Sequence, residues 1–402
     1  MGKIKEYVEL VRGVSYKKPD AKQLPENGYI PVLRANNIND NKINLDELVY
    51  VPERLISENQ YVNEGDIIIT MSSGSKAHVG KVALATTTYK AGFGAFCAKL
   101  VPKSINPKYL ALILQSYLFR NHIEQACKGT NINNIKQSHI MEFDIPVPTR
   151  EEQIGVVNRI EELFSELDRA EETLYTTKSQ LEVYRQAVLK EVFDKVEEFR
   201  PAKELCYFIT SGSTPSKTEM GVHDDAHVIP YIKVYNLTFN TRLDFSVNPT
   251  FVSEETHNGK LSRSILYPGD VLMNIVGPPL GKVSIVPNTF PEWNTNQAVV
   301  RFRCLDNLYP QYLAYYLSYS RTVEKLKRKS KATAGQHNLS VTTCRDFELP
   351  YVDIETQKEQ VKLIDARLAL CEEVECTIEK SIIQSRAMRQ SILKKAFEGS
   401  LI

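Results

Sequence analysis

Arg321, Lys325, Lys327, Arg328, Lys329 and Lys331 lead directly into a loop of glycine, glutamine, histidine and asparagine that contains Gln336 and His337. The chemistry this run offers is recognition of a polyanion. Ammonium and guanidinium groups neutralise phosphates, and amide side chains pair with base edges. A sparser version stands at Arg120, Lys128, Asn131, Asn133, Asn134 and Lys136. Two glycine-rich loops, Ser72 to Lys81 (with Ser73, Ser75 and Lys76) and Val276 to Lys282, let backbone approach a groove closely. The amide cluster WNTNQ adds Asn294 and Asn296 behind Trp293, which is read as core. Arg34, Asn36, Lys217, Lys233 and Tyr235 complete the set of candidate nucleic-acid contacts. A solvated helix end would carry the same lysines, so the adjoining amides are what favour the binding reading.

Catalytic chemistry is harder to find. The segment Gly74 to Val82 has five residues between its glycines, and Val82 stands where a phosphate loop needs Ser or Thr. Ala91 to Phe96 (AGFGAF) offers one G-x-G and no third glycine, which reads as a tight turn. There is no Asn-Pro-Pro-aromatic or Asp-Pro-Pro-aromatic quartet of an amino-methyltransferase. His223 and His227 lie four apart in a loop, which disfavours a metal site. Seven scattered cysteines without a C-x-x-C spacing read as reduced, packed residues. No catalytic, metal-binding or cofactor-binding residue is assigned.

The elements that must position these loops repeat along the chain. Pro146 to Val196 reads as one long helix opened by a Thr149/Glu152 capping box, with an apolar seam through Val157, Ile160, Phe164, Leu167, Leu174, Leu181, Val188 and Val192. Glu171, Lys178 and Arg185 interrupt that seam and argue for a short bundle with a polar register. Matching Thr356 and Glu359 to Thr149 and Glu152 predicts a second capped helix, with Gln360 opposite Gln153. Because RQSILKKAF (Arg389 to Phe397) matches RQAVLKEVF (Arg185 to Phe193) at a shorter offset, the second helix is expected to be three residues shorter. Its seam is Val361, Ile364, Leu368, Cys371, Ile378, Ile382, Ile392 and Ala396. Two antiparallel copies would bury both seams against each other.

The globular parts repeat as well. IPVLRANNI (Ile30 to Ile38) matches IPYIKVYNL (Ile229 to Leu237), each a short strand ending in Asn and an aliphatic residue. Asp66 and Asp270 open matching Gly-Asp strands, Pro107 and Pro310 open tyrosine-bearing helices, and Pro146 and Pro350 close both copies. The expected fold class is α+β, with two pseudo-symmetric mixed α/β domains separated by two long antiparallel coiled-coil helices. The boundaries are 1–147, 148–199 for the central helix, 200–351, and 352–402 for the C-terminal helix. Similar scaffolds with different loops are what two related recognition modules require.

Charge follows the same division. Residues 1–145 carry 18 Lys and Arg against 14 Asp and Glu, and 201–349 carry 16 against 13, whereas 146–200 carry 8 against 13. Mildly basic globular parts suit a polyanion, and an acidic helix suits protein contact. With 42% apolar residues, no apolar run of membrane-spanning length and no signal-peptide core, the chain is expected to be cytoplasmic and without membrane contact.

Across its whole length the chain resembles the specificity (DNA-recognition) subunit of a Type I restriction-modification system. The resemblance is carried by the loop, strand and proline passage into an E-Q-opened helix at Gly335 to Gln360. It recurs less strictly at Gly129 to Gln153, where Ile132 or Asn133 replaces the loop glutamine, and the G-D-[IV]-[IL] strands fit too. It implies a non-catalytic subunit whose two target-recognition domains read the halves of a split, asymmetric double-stranded DNA sequence in the major groove, with the helices as spacer. Two modification (methyltransferase) subunits would dock on the helices and carry S-adenosylmethionine. Restriction subunits would add ATP- and Mg-dependent translocation and cleavage. Two other readings stay open at this point: a self-contained DNA methyltransferase or nuclease, and a coiled-coil scaffold without DNA contact.

Overall fold

Each globular part is built outward from its Gly-Asp turn. Gly65 and Gly269 take φ of +87° and +90°, a left-handed conformation that glycine adopts without strain. The carboxylate that follows caps the turn, Asp66 accepting from the Asn63 amide at 2.8 Å and Asp270 from the Tyr267 amide at 2.9 Å. Both carboxylates are buried and meet a cation from the neighbouring strand, Lys99 at 2.9 Å from Asp66 and Arg303 at 2.7 Å from Asp270. The repeat therefore extends to the ion pair that pins two central strands together.

The computed structural model describes residues 1–74, 78–126, 134–333 and 336–399, the side chains of 126, 331–333 and 336 excepted. Packing divides the chain into two units, Met1–Tyr175 with Glu379–Ile402, and Thr176–Ile378. Each unit thus takes one globular part and part of each long helix, a different division from the four consecutive segments expected. The physical reason is that the helix seams bury into the globular cores. Val156, Val157, Ile160, Leu393 and Phe397 join the first core, and Val188, Val192, Val361 and Ile364 join the second.

In unit 1 an antiparallel sheet runs in the order Val8–Arg12, Cys97–Pro102, Ile67–Thr70, Val82–Leu84, beside a smaller sheet of Val49–Pro52, Tyr29–Leu33 and Gly92–Phe93. In unit 2 the order is Cys206–Ser211, Val299–Cys304, Val271–Asn274, Val283–Ile285, Thr241–Arg242, beside a second sheet centred on Phe251–Val252 and Ile229–Ile232. Helices Pro107–Gln115 and Pro310–Ser318 cover the main sheets. The last phenylalanine of a long helix packs on each of them. Phe397 meets Tyr109 edge-on at 5.5 Å between centroids, and Phe193 meets Tyr312 and Tyr316 at 5.2 and 5.3 Å. Such ring pairs contribute about 0.5–1.5 kcal/mol beyond the area they bury.

The long helices are Arg150–Phe193 and Ile354–Phe397, 44 residues each. The expected capping box at Thr149 and Glu152 forms, the Thr149 amide donating to Glu152 at 2.8 Å and the Glu152 amide to the Thr149 hydroxyl at 3.3 Å. The second helix corrects the sequence reading. Its cap is Asp353, which accepts from the Thr356 amide at 3.0 Å and the Thr356 hydroxyl at 2.6 Å. The residue equivalent to Gln153 is then Gln357, not Gln360, and the helices match at a constant offset with no three-residue shortening. Both glutamines reach back to pin the preceding loops: Gln153 accepts from the Asn106 amide and Gln357 from the Tyr309 amide, each at 2.8 Å. Within unit 1, Asp168 and Glu171 meet Arg389 and Ser385. Within unit 2, Arg185 and Glu191 meet Glu375 and Arg367. In both units the partner number falls as the first rises, so the helix segments run antiparallel as expected. No helix among the described residues is long and apolar enough to cross a membrane.

Candidate nucleic-acid interface

Asparagine clamps hold the first interface loop of each unit. After strand Tyr29–Leu33 the chain makes a single helical turn, and buried Asn37 accepts from the Arg34 amide at 2.9 Å while donating to Asn44 and Asp46 carbonyls at 3.0 and 2.8 Å. After Ile229–Ile232, buried Asn236 accepts from the Lys233 amide at 3.0 Å and donates to Asp244 and Val247 carbonyls at 3.1 and 2.8 Å. The strands stop at Leu33 and Ile232, before the Asn and aliphatic residue expected to end them. With its polar atoms spent inward, the clamp leaves Asn36 exposed in unit 1 and Tyr235 exposed in unit 2, flanked by half-buried Arg34 and Lys233. The Tyr235 hydroxyl donates to the Asn248 carbonyl at 3.1 Å, which fixes the ring, and Arg34 donates to the Glu47 carbonyl at 3.0 Å.

A second asparagine fixes the glycine-lysine loop of unit 2. Asn274 is buried, donates to Val276 and Pro279 carbonyls at 3.0 and 2.8 Å, and accepts from Gly281 and Lys282 amides at 3.2 and 3.0 Å. A side chain at Gly281 would meet Val323 at 2.9 Å, so the loop lies tight against helix Ser320–Lys329. That helix buries Thr322 and Leu326 and exposes Lys327, Arg328 and Lys329 in its last turn. Val276–Gly277, Gln336–Asn338 and Lys331–Thr333 form a small antiparallel sheet beside it, and His337 is bonded to the Ser330 hydroxyl at 2.8 Å. Lys282 reaches back to the clamp loop, its ammonium 5.9 Å from the Phe239 ring. In unit 2, therefore, Lys282 lies beside Phe239 after the clamp, and the strand bearing His337 ties the glycine-lysine loop to the basic helix end.

Unit 1 carries the same layout with different groups. Ser72 bridges Asn134 antiparallel, as Val276 does Asn338, and exposed Lys136 follows buried Ile135. Lys81 follows Gly80, and Arg120 donates to the Val79 carbonyl at 2.8 Å. Asn41, Lys81, Gln115 and Arg120 line a cavity of about 220 Å³ here. Ser73 lies beside Ser72. Ser75, Lys76, Asn131 and Asn133 fall outside the described residues, as do the side chains of Lys331 and Gln336.

Three candidates fare differently. Asn294 is fully buried, its amide hydrogen-bonded to the Leu261 carbonyl at 3.2 Å and to His257 Nδ1 at 3.1 Å, so it serves the core and is closed to DNA. Asn296 is half-buried and its amide oxygen accepts from the Ala298 amide at 3.2 Å, which makes it a turn-former. Exposed Lys217 sits in the turn Lys217–Glu219, which precedes strand Met220–Gly221, beside the Lys260–Glu219 ion pair. Trp293 is core as expected, edge-on to Phe245 and Phe290. Sequence reasoning missed the structural asparagines Asn37, Asn236 and Asn274; the signal for the first pair was their matched place after two similar strands. Among the described residues no three His, Cys, Asp or Glu side chains gather as a metal site.

A family profile described as "Type I restriction modification DNA specificity domain" matches residues 1–182 and 195–384. The chain is 28% identical over 411 residues to the EcoKI specificity subunit of Escherichia coli K12, covering 98% of this chain and 87% of that one. It is 28% identical over 417 residues to the StySPI specificity subunit of Salmonella potsdam, with the same coverage. A chain of a solved type I R-M system superposes with a TM-score of 0.67 at 16% identity over 98% of both chains, which is likeness of fold.

Proposed function

The chain belongs to the Type I restriction-modification DNA specificity family and is a DNA-recognition subunit, and from that premise we propose that each unit reads one half of a bipartite, asymmetric duplex with the face described above. The observation that carries this is the pair of asparagine clamps. The same frame presents Arg34 and Asn36 in one unit and Lys233 and Tyr235 in the other. Equal frames with unlike tips are what two readers of unlike sequences require, with lysines and arginines fixing register on phosphates and the tips reading base edges.

In this reading the chain is non-catalytic, holds no cofactor and acts in the cytoplasm. Two modification subunits supply S-adenosylmethionine and methyl transfer, and restriction subunits supply ATP- and Mg-dependent cleavage. Exposed apolar side chains along the long helices, Ile154 and Met388 in unit 1 and Val183, Leu363 and Leu370 in unit 2, support protein docking there. The test is to sequence methylated sites in cells that carry the modification subunits with and without this chain. One bipartite motif present only with the chain is the expected result, and an unchanged methylation pattern overturns the reading.

A further inference from the structure

Phe239 is 56% exposed at the tip of the loop that follows the Asn236 clamp, although a phenyl ring left in water forgoes one of the larger burial gains available to a side chain. The turn beneath it is laced so that the ring cannot fold inward. The Thr238 hydroxyl donates to the Arg242 carbonyl at 2.6 Å, and the Asn240 amide oxygen accepts from the Arg242 amide at 3.3 Å. The Thr238 amide in turn donates to the Ser284 hydroxyl at 3.2 Å, tying the turn to the main sheet. Phe239 is therefore displayed by hydrogen bonds that do not involve it. The Lys282 ammonium lies 5.9 Å from its ring. In unit 1 the residue at the corresponding distance after its clamp strand is Asp40, at φ +49° in a tight turn, so the apolar tip belongs to unit 2 alone.

The groups around Phe239 divide the labour. Lys233 and Lys282 suit phosphates, and neither they nor an amide recognises a methyl group. In the major groove the thymine 5-methyl is the apolar feature that marks a base, and a phenyl ring is one of its matching contacts. Resting on the DNA-recognition reading of this face, we propose that Phe239 selects a thymine, through its methyl group, in the half of the target read by unit 2.

The test uses the chain assembled with its modification subunits and short duplexes bearing the methylated motif, each thymine replaced in turn by deoxyuridine. That replacement deletes the methyl and keeps the pairing. Binding by the assembled complex is expected to weaken about fourfold at one position of one half-site, the worth of one apolar carbon. Phe239→Ala is expected to bind the thymine and uracil duplexes alike, while Phe239→Leu, which keeps an apolar tip, retains part of the discrimination. If Phe239→Ala discriminates as the unaltered chain does, or the unaltered complex ignores every replacement while keeping its motif preference, the assignment of Phe239 falls alone. A half-site without thymine in either strand has the same consequence. A complex that prefers no duplex over any other overturns the DNA-recognition reading as well.

Discussion

Arg185 places its guanidinium 2.7 Å from the Glu375 carboxylate at a point where both long helices otherwise present apolar side chains. Arg185 is largely buried, and its Nε has no hydrogen-bond partner. The same pairing recurs in unit 1, where Arg389 lies 3.6 Å from Glu171, which also accepts from the Ser385 hydroxyl. A charged pair inside an apolar seam fixes register, because a one-turn slip would leave each charge facing hydrocarbon.

Glu375→Ala is therefore expected to destabilise unit 2 by about 3 kcal/mol, since it leaves Arg185 buried and uncompensated. Replacing both residues with leucine should cost much less. Glu171→Ala should cost less, because its pair with Arg389 is longer and Asp168 remains to meet the guanidinium. Urea unfolding of the four chains measures this. Equal losses for Glu375→Ala and the double variant would remove the register argument.

The corrected helix register makes a second expectation. Gln357 is buried, accepts from the Tyr309 amide and donates to the Asn307 and Val352 carbonyls at 2.9 and 2.8 Å. Gln357→Ala strands these groups, and at about 1–3 kcal/mol for an unsatisfied buried polar group it should be among the costlier substitutions in the second helix. Gln360→Ala, at the position that sequence matching favoured, should stay within about 1 kcal/mol. Thermal unfolding of the two variants distinguishes the registers.

Why the sequence misplaced that helix is instructive. Residue types matched threonine to threonine, whereas the physical roles match Thr149 to Asp353 and Glu152 to Thr356: a hydroxyl cap with an acidic third residue became an acidic cap with a hydroxyl third residue. Capping chemistry is interchangeable, so identity at the cap is a poor guide to register. The seams, the Gly-Asp strands and the tyrosine helices were legible because burial and turn geometry restrict residue type there. Asn294 was misjudged for the opposite reason. An asparagine reads alike whether it faces water or a buried histidine, and only its neighbours in space tell the two apart. Phe239 escaped notice because an exposed phenylalanine looks like core until its turn is seen.

Neutralising Lys327, Arg328 and Lys329 should weaken binding to every duplex and lower the slope of log affinity against log salt by up to about 0.9 per lost phosphate contact. The three side chains are exposed in the last helical turn, so the fold should not change. Altering His337, held at Ser330, should act on preference among sequences instead. A salt titration of the triple variant showing the original slope would place this helix end away from DNA.

Thiol labelling offers a check of the two cores. Burial pushes the Cys97 and Cys344 thiols up to about 12, so neither supplies thiolate at pH 8, and both are closed to reagent. Cys376 is exposed. In a Cys127→Ser background, a maleimide is expected to modify Cys376 within minutes and leave Cys97 and Cys344 untouched until denaturant is added. Early modification of Cys97 or Cys344, mapped by mass spectrometry, would contradict the packing of its unit.

The helix caps also set an acid limit. Hydrogen bonds from the Thr149 amide and hydroxyl hold the Glu152 carboxyl below its usual range, and bonds from the Thr356 hydroxyl and amide do the same for Asp353. A carboxyl whose folded value is depressed binds its proton less readily in the native state than in the unfolded chain, so folding is favoured while both forms are ionised. That contribution is fully present above the unfolded values, about 4.3 for Glu and 3.9 for Asp, and is lost as pH falls through the lower folded values. Protonation removes the charge that accepts the cap bonds, while the other hydrogen bonds of the first turn persist, so fraying should begin at the helix starts. Glu152→Gln and Asp353→Asn keep the shape of each cap and delete its titration. Each is expected to lower the melting temperature near pH 7 and to flatten its decline between pH 5 and pH 3, so that the variants and the unaltered chain converge at the acid end. Parallel melting curves across that range, with a constant gap, would mean that neither carboxylate supports its helix through charge.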